Sequence, residues 1–407
     1  MGAVSSRAAH RVLGAVQAVT MGPSLSNTVE SRLPISVLHI FSGDLWAGAE
    51  VVIYTVLQQL AKTSSMRVFA LAMNEGVLVN KLRGAGLRVV VIPEAEHTIA
   101  GIVRLAYRHL RGESIHIIHT HRYKENLIGW ILGKALNVPC CITTLHGMPE
   151  VPTTSQRGDW RELVANAINR AVLRWGFRRI VAVSRDIEKL LTQTKLCDAS
   201  QLCVIHNGIA MPPPMIGPSR FGSSGEKESF RIGTVCRLVP VKGLDLFLEI
   251  AKDVTRRSSR MHFLILGDGP LRSYLEGKIQ FLGLQERIDI LEPREDPISF
   301  YRSLDLYLNT SIHEGLPCSV LEAMGCAVPI IAPWVGGIPE IVTHGETGLL
   351  VADRKPEAFA DAIRTLERDR ALRRTMGLNA RGVIESRFSE TIVGNSYEAL
   401  YRSLVAV

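Results

Sequence analysis

The chain has 407 residues, of which 46% are hydrophobic and 21% charged, and its formal net charge is +8 at pH 7. This composition excludes a disordered chain, and the length predicts two domains instead of one core. No apolar run approaches the ~20 residues that a membrane-spanning helix needs. Seven scattered cysteines without a CxxC pair favour free thiols in a reducing cytosol.

The positive charge lies in the first half of the chain. Residues 1–220 carry 24 Lys and Arg against 14 Asp and Glu, whereas residues 221–407 carry 23 against 25. The basic half therefore predicts attraction to an anionic partner, such as membrane headgroups, a phosphorylated acceptor or nucleic acid. Solubility alone is the alternative explanation.

Residues 1–30 predict a flexible leader without a fold. A signal peptide, a myristoylation site and a start at Met21 are alternatives for this segment. Residues 31–210 then alternate β-branched runs with helical stretches, which is the rhythm of a parallel, doubly wound sheet. The strands predicted in this part are 36–41, 67–73, 87–92, 115–120, 140–145 and 180–184.

Three consecutive prolines followed by Gly and Ser predict a linker over residues 211–229. The alternation restarts in residues 230–390, and residues 391–407 predict a terminal helix. The strands predicted in this part are 230–235, 261–267, 287–291, 304–309 and 328–333. The fold class predicted is α/β, with two Rossmann-like domains that face each other across a cleft, where ligands of such sheets bind.

The stretch "HEGLPCSVLE", residues 313–322, follows the predicted strand 304–309. Glu314 is expected at the carboxyl edge of the sheet, and Glu322 within the first two turns of a helix that begins near Pro317. The carboxylates suit sugar hydroxyls, and the N–H groups of residues 315–319, Gly-Leu-Pro-Cys-Ser, suit a phosphate at the helix start. A capping glutamate and a solvated helix residue are the alternative.

Other strand ends supply further candidates. Arg237 and Lys242 fall in the loop after the first strand of the second half, where two cations could neutralise a diphosphate. Gly48, in "DLWAGAE", permits close approach of the backbone to a ligand. His146, in "TLHGMPE", is expected at the edge of the cleft. The pair His119-x-His121 has metal-like spacing but offers no third ligand nearby, so no metal site is predicted.

Together these motifs resemble glycosyltransferase family 4, which has the GT-B fold. The family's two glutamates with seven residues between them are met by Glu314 and Glu322, and its "GG.PE" by "VGGIPE". "CRLVPVKG" meets "GRL…KG" loosely, and "AGAE", "LHG", "VAVS" and "HNGI" match in the first half. The similarity spans about residues 35–390.

The resemblance implies a role for each matching residue. Glu314 would contact the hydroxyls of the donor sugar, with Gly315, Leu316 and Pro317 beside it, and Glu322 would contact the ribose. The resemblance further implies that Arg237 and Lys242 hold the diphosphate and stabilise its departure, that Gly48 closes over it, and that His146 lies beside the transferred sugar. Such enzymes retain the anomeric configuration and need neither a metal nor a cofactor.

Departures from the family pattern concern the nucleotide. Cys236 stands where the family usually has Gly, and Ala327 occupies another usual Gly position. The segment "EPRED" lacks the glycine that commonly follows "DIL", which leaves the choice between a UDP-sugar and a GDP-sugar open.

The predicted function is transfer of a sugar from a nucleotide-diphosphate donor to a lipid-linked or saccharide acceptor, in polysaccharide or glycolipid assembly, with no nucleic-acid partner. A nucleotide-sugar epimerase and a non-catalytic nucleotide-sugar binder are alternatives. Arginines at helical spacing predict peripheral contact with an anionic membrane at its cytoplasmic face, or else an ordinary surface helix. These arginines are Arg104, Arg108, Arg111, Arg170, Arg174 and Arg178.

Overall fold

The computed structural model describes residues 34–44, 46–147, 160–214 and 229–406. The predicted leader and most of the predicted linker lie outside these residues, and the domain boundaries stay predictions. All described residues belong to one unit, Pro34–Val407. Among them, no helix is both long and apolar enough to cross a membrane.

Seven parallel strands form the sheet of the N-terminal half. The strands are β1 (Ile35–Phe41), β2 (Met66–Ala72), β3 (Val89–Val91), β4 (Ile117–Thr120), β5 (Cys140–Leu145), β6 (Arg179–Ala182) and β7 (Leu202–Val204). The helices between them are α1 (Gly48–Ala61), α2 (Val77–Gly84), α3 (Ile99–Leu110), α4 (Tyr123–Ala135), α5 (Trp160–Gly176) and α6 (Arg185–Gln193).

Six parallel strands form the sheet of the C-terminal half. The strands are β8 (Phe230–Val235), β9 (Met261–Leu266), β10 (Ile288–Leu291), β11 (Leu306–Leu308), β12 (Ile330–Pro333) and β13 (Gly348–Val351). The helices are α7 (Leu244–Arg257), α8 (Arg272–Leu282), α9 (Ile298–Arg302), α10 (Cys318–Gly325), α11 (Ile338–Ile341), α12 (Pro356–Arg368), α13 (Arg370–Val383) and α14 (Glu390–Val405).

The strand order of each sheet reverses once, which fixes where a ligand can bind. The orders are β3-β2-β1-β4-β5-β6-β7 and β10-β9-β8-β11-β12-β13. The reversals fall between β1 and β4 and between β8 and β11, and the loops after such strands diverge to leave a crevice at their carboxyl ends. The predicted α/β fold with two doubly wound sheets is confirmed.

Strand prediction was best in the sheet centres. The predicted spans 140–145 and 230–235 coincide with β5 and β8. The prediction missed β7 and β13, which are edge strands of three and four residues. Strands this short carry too few alternating positions to be recognised from a pattern.

The last helix returns to the N-terminal half. Its buried residues Val393, Tyr397, Tyr401 and Leu404 recur at helical spacing. They share a hydrophobic cluster with α1 and with strands β1, β4 and β5. The end of the chain therefore covers one face of the first sheet.

Candidate active site

A partly buried ion pair joins the loops after β8 and β11. Lys242 Nζ donates to Glu314 Oε1 at 2.8 Å and to Oε2 at 3.0 Å. The two loops touch because Gly243, with φ +62°, lies against Thr310, where a Cβ atom would stand 2.2 Å from the carbonyl oxygen. Since β8 and β11 are neighbours at the strand-order reversal, the fold itself brings the predicted cation and carboxylate together.

The ion pair keeps hydrogen-bonding capacity for a ligand. Glu314 Oε1 also accepts from Ser311 Oγ at 2.6 Å, whereas Oε2 has Lys242 as its one partner among the residues that the structure describes. A carboxylate oxygen accepts two bonds and an ammonium donates three. Glu314 Oε2 can therefore take one ligand hydroxyl, and Lys242 Nζ can donate one bond to a ligand oxygen.

The start of the turn that carries Glu314 packs against the first half. A Cβ atom on Gly315 would lie 2.5 Å from the carbonyl oxygen of His146, so no larger residue fits without movement. Asn207 Nδ2 donates to the carbonyl oxygen of Leu316 at 2.8 Å. These contacts place His146 beside the predicted site, at the end of β5.

Helix α10 begins beside the start of α1 in the N-terminal half. The first N–H groups of a helix have no acceptor inside it, and here these belong to Cys318 and Ser319. Pro317 has no N–H group, so the expectation of donors throughout residues 315–319 was wrong at that position. The Cys318 thiol donates to the carbonyl oxygen of Gly48, with Sγ and O 3.3 Å apart.

Gly48 is exposed at the start of α1. A Cβ atom there would lie 3.6 Å from Cys318 Sγ, which is ordinary contact, and its φ is not in the left-handed region. The protein alone therefore does not require glycine at this position, and approach to a ligand stays a prediction. Glu50 is buried two residues later, accepts from Ala47 N at 3.3 Å and pairs with Arg122.

Glu322 lies in the second turn of α10, which follows the turn that carries Glu314. The Tyr301 hydroxyl donates to Glu322 Oε2 at 2.7 Å. Burial raises the pKa of the Glu322 carboxyl to about 7, and the bond from Tyr301 opposes the shift. The two glutamates therefore differ in surroundings, since Glu314 has a cation beside it and Glu322 has a phenol.

Arg237 follows β8, as predicted, and its side chain is exposed. Its backbone carbonyl accepts from Val239 N at 2.9 Å, which begins the turn that leads to Lys242. The guanidinium and the ammonium thus belong to one loop at the carboxyl end of the sheet. Their common action on a diphosphate stays a prediction.

Sequence reasoning matched "GGIPE" but missed what its glutamate does. Glu340 reaches across to the N-terminal half and accepts from the N–H groups of Arg185 and Asp186, at 3.0 and 3.2 Å, at the start of α6. His206 Nε2 lies 2.8 Å from the same carboxylate. A carboxylate at a helix start is stabilised by the helix dipole, so this bond holds the two halves together beside the site.

The statement that His119 and His121 lack a third ligand nearby was wrong. His39 is the β1 register partner of His119, and the three rings are buried side by side. Their ligand atoms lie within 4.8 Å of one another. His39 precedes His119 by 80 residues in the sequence, but parallel pairing of β1 with β4 brings the two side by side.

Two family models cover most of the chain. Residues 46–211 match the family described as Glycosyltransferase Family 4, and residues 218–383 match that described as Glycosyl transferases group 1. Nearly all of the residues discussed above fall within these two ranges.

Curated relatives are similar over part of their length. The Staphylococcus aureus capsular polysaccharide biosynthesis glycosyltransferase CapM is 26% identical over 56% of this chain and 62% of its own. A D-inositol 3-phosphate glycosyltransferase of Rhodococcus erythropolis is 29% identical over 66% of this chain and 63% of its own. The matched stretch thus spans less than two thirds of either relative. An Escherichia coli UDP-Gal:alpha-D-GlcNAc-diphosphoundecaprenol alpha-1,3-galactosyltransferase is 25% identical over 74% of this chain and 78% of its own.

Solved structures share the fold. Anabaena Alr3699/HepE in complex with UDP-glucose has a TM-score of 0.78 and 20% identity, over 91% of this chain and 100% of that one. Sucrose-phosphate synthase from Thermosynechococcus elongatus has a TM-score of 0.75 and 21% identity, over 91% and 99%. At these identities the likeness establishes the fold.

Gly315→Ala tests whether the close contact between the halves is needed. The added methyl group must displace the His146 carbonyl, so we expect the free energy of unfolding to fall by roughly 1–3 kcal/mol. Gly277→Ala is the control, because Gly277 lies inside α8 with open space around its Cα. That change should stabilise the protein by about 0.5–1 kcal/mol. Urea unfolding measures both, and equal effects would contradict the packing described.

Glu322→Gln tests the surroundings of the second glutamate. With a pKa of 4.5 unfolded and about 7 folded, the native state binds the extra proton between these values, so wild-type stability falls as the pH rises from 4.5 to 7. Gln does not titrate, so the variant should gain about 3 kcal/mol relative to wild type between pH 4.5 and pH 8. Glu286→Gln, at an exposed position, is the control. A pH-independent difference for Glu322→Gln would contradict burial of its carboxyl.

Proposed function

We propose, from the premise that the chain belongs to glycosyltransferase family 4 and has its GT-B fold, that it transfers a sugar from a nucleotide-diphosphate donor to a saccharide or lipid-linked acceptor. The observation that carries the proposal is the Lys242–Glu314 ion pair at the carboxyl ends of β8 and β11. It presents a cation and a carboxylate with spare hydrogen-bonding capacity at the place where ligands of such sheets bind.

The ion pair fixes the two parts of a donor relative to each other. The third N–H of Lys242 suits a diphosphate oxygen, and Glu314 Oε2 suits a sugar hydroxyl. Because Lys242 and Glu314 hold each other, the phosphate and the sugar would be held at a set separation. Arg237, on the same loop as Lys242, adds a second positive charge for the leaving diphosphate.

The remaining candidates surround that pair. The N–H groups at the start of α10 favour an anion by the helix dipole. Glu322 would accept from ribose hydroxyls, and His146 would contact the transferred sugar. Gly48, in contact with Cys318, would let the N-terminal loop approach the diphosphate. No step of this account requires a metal or another cofactor.

The relatives support the choice of substrates. One relative's name specifies a UDP-galactose donor and a diphosphoundecaprenol-linked acceptor, and a neighbour of the same fold was solved with UDP-glucose. We extend to this chain a UDP- or GDP-sugar donor and, following the family, retention of the anomeric configuration. Front-face attack by the acceptor, with the leaving phosphate taking the proton, accounts for retention without an enzyme nucleophile.

Turnover of UDP-, GDP- and ADP-sugars, measured with and without candidate acceptors, tests the function. A transferase releases the nucleotide and yields a product heavier by one sugar only when the acceptor is present, and activity persists in EDTA. NMR of the product reports its anomeric configuration. An isomerised donor without acceptor would indicate an epimerase, and tight binding without turnover would indicate a non-catalytic binder.

Lys242→Met and Glu314→Gln test the ion pair. Loss of the ammonium removes a stabilising charge from the leaving diphosphate, so we expect kcat/KM to fall roughly 10²–10³-fold in Lys242→Met. Glu314→Gln should have a similar effect because its amide holds both Lys242 and the sugar less well. Glu314→Ala should abolish transfer. This change also leaves the Lys242 ammonium without its carboxylate partner.

Lys278→Met is the matched control for these variants. It breaks the ion pair between Lys278 and Asp245, which joins α8 to α7 in the same half. Transfer should stay within about twofold of wild type, since exposed ion pairs contribute little. Equal activity of Lys242→Met and Lys278→Met would show that the site is misplaced.

Membrane contact is proposed for the surface of α3 and α5. Trp175 is 81% exposed and Ile168 is 42% exposed on α5, a helix that also carries the exposed Arg170 and Arg174. Arg104, Arg108 and Arg111 are likewise exposed on or just after α3. Basic and aromatic side chains together suit the interface of an anionic bilayer and favour a location on the inner face of the membrane.

Flotation with anionic liposomes at low salt tests the membrane contact. We expect capture of the wild type and release when Arg170, Arg174 and Arg178 are neutralised or when Trp175 becomes Ala. Phe281→Ala is the control, because Phe281 is 88% exposed but lies on α8 of the other half. Failure of the wild type to float, or equal release by the control, would refute the proposal.

A further inference from the structure

Seven buried or half-buried side chains form one continuous line of hydrogen bonds in the N-terminal half. In order, the line joins His146, His121, His39, Tyr401, His119, Thr144 and Tyr397. The six donor–acceptor distances along it are 3.1, 3.1, 3.2, 2.7, 2.8 and 3.0 Å. We call this line the histidine chain.

The alternation of strand residues explains why the histidine chain forms. His39 and His119 are register partners on β1 and β4, and His121 follows two residues after His119, so all three belong to one face. Thr144 and His146 have the same spacing at the end of β5. Tyr397 and Tyr401, four residues apart on α14, pack against this face of the sheet.

Every ring nitrogen of the three internal histidines is used. Each of His39, His119 and His121 bonds through Nδ1 to one neighbour in the chain and through Nε2 to the other. Burial lowers the pKa of these imidazoles, that of His39 to about 3, so each ring is neutral and carries one hydrogen. A neutral imidazole donates from one nitrogen and accepts at the other. Where each hydroxyl of the line also donates within it, so that no hydrogen is left unpaired in its interior, the whole histidine chain donates in one direction or in the other.

The two directions differ in where they leave one hydrogen unpaired. If the chain donates away from His146, the Tyr397 hydroxyl hydrogen has no acceptor, since Thr144 is the one hydrogen-bond partner of Tyr397 in the described part of the chain. That phenol is only 2% exposed. If the chain donates toward His146, the unpaired hydrogen is on His146 Nδ1, a buried atom without a partner on a half-exposed residue at the strand end. Both unpaired hydrogens are buried, but only His146 lies at the carboxyl edge of the sheet, where a bound ligand can supply the missing acceptor.

We infer that the histidine chain sets the tautomer of His146, with the hydrogen on Nδ1, so that this imidazole donates to an oxygen of the bound donor. The inference rests on the proposed function for the identity of that donor, a nucleotide-diphosphate sugar. His39 and His121 are positioning residues, as are Tyr401, His119, Thr144 and Tyr397, since each acts through its neighbour. A ligand oxygen at His146 Nδ1 completes the line, because every hydrogen in it then has an acceptor.

Substitutions at His39 separate this role from packing. His39 is two links from His146, and in the inferred direction its Nδ1–H donates to His121 Nε2. In His39→Asn the side-chain amide can still donate there, so His146 should keep its hydrogen on Nδ1. In His39→Met the thioether can only accept, so His121 and then His146 should reverse and leave the hydrogen of His146 on Nε2.

Long-range ¹H–¹⁵N correlation spectra of the full chain labelled with ¹⁵N-histidine read the tautomer directly. The His146 signal is assigned by its loss in His146→Gln. We expect Nδ1–H in wild type and His39→Asn, and Nε2–H in His39→Met. A wild-type Nε2–H form, or one tautomer common to both variants, would overturn the inference. Should neither variant fold, the wild-type spectrum alone decides it.

Two further measurements accompany the spectra. Affinity for the donor, with UDP-glucose as the first probe, should fall about tenfold in His39→Met and stay near wild type in His39→Asn. Binding of one zinc ion per chain that is lost in both variants would overturn the inference, because a metal on these nitrogens would replace the bonds of the chain.

The proposed function and the histidine chain fail separately. No sugar transfer from any donor, with the expected tautomers in the spectra, would refute the function and leave the chain's direction established. Sugar transfer by a protein whose His146 tautomer does not change with the residue at position 39 would refute the inference about the histidine chain and leave the proposed function intact.

Discussion

Close backbone contacts that only glycine permits hold the candidate site together. Gly243 brings the loop after β8 against the turn after β11, and Gly315 brings that turn against the end of β5. Gly337 in turn lies where a Cβ atom would be 2.1 Å from the carbonyl oxygen of Gly315 and 2.9 Å from Ser184 Cβ. A side chain at any of these positions would separate loops that belong to different strands. The chemistry of the site therefore depends first on backbone packing.

The two glutamates also differ in their electrostatic surroundings. Glu314 is hydrogen-bonded to Lys242, an arrangement that suits binding of two polar ligand groups at a fixed distance from each other. Glu322 is desolvated beside a phenol, so its charge state changes near neutral pH. A ligand hydroxyl that donates to Glu322 would favour its charged form, so binding of such a ligand would be coupled to ionisation of this carboxyl.

The sequence was sufficient for features that depend on local pattern. The βαβ rhythm predicted the two sheets, and strand ends predicted that Glu314 and Lys242 lie at the carboxyl edge. The sequence could not show that Lys242 and Glu314 hydrogen-bond to each other, because their pairing depends on which strands are neighbours in the sheet. The same limit hid the bond from Tyr301 to Glu322, the contact of Glu340 with α6, and the place of His39 beside His119. Ala327 is different: it has φ +59°, which explains physically why a glycine is usual there.

A crystal structure with a bound nucleotide diphosphate tests the central claim most directly, using whichever of UDP, GDP or ADP binds most tightly. The account predicts the diphosphate between the Arg237–Lys242 loop and the start of α10, with Lys242 Nζ within hydrogen-bond distance of a phosphate oxygen and the ribose next to Glu322. A nucleotide bound on another surface, with the Lys242–Glu314 pair untouched, would contradict it.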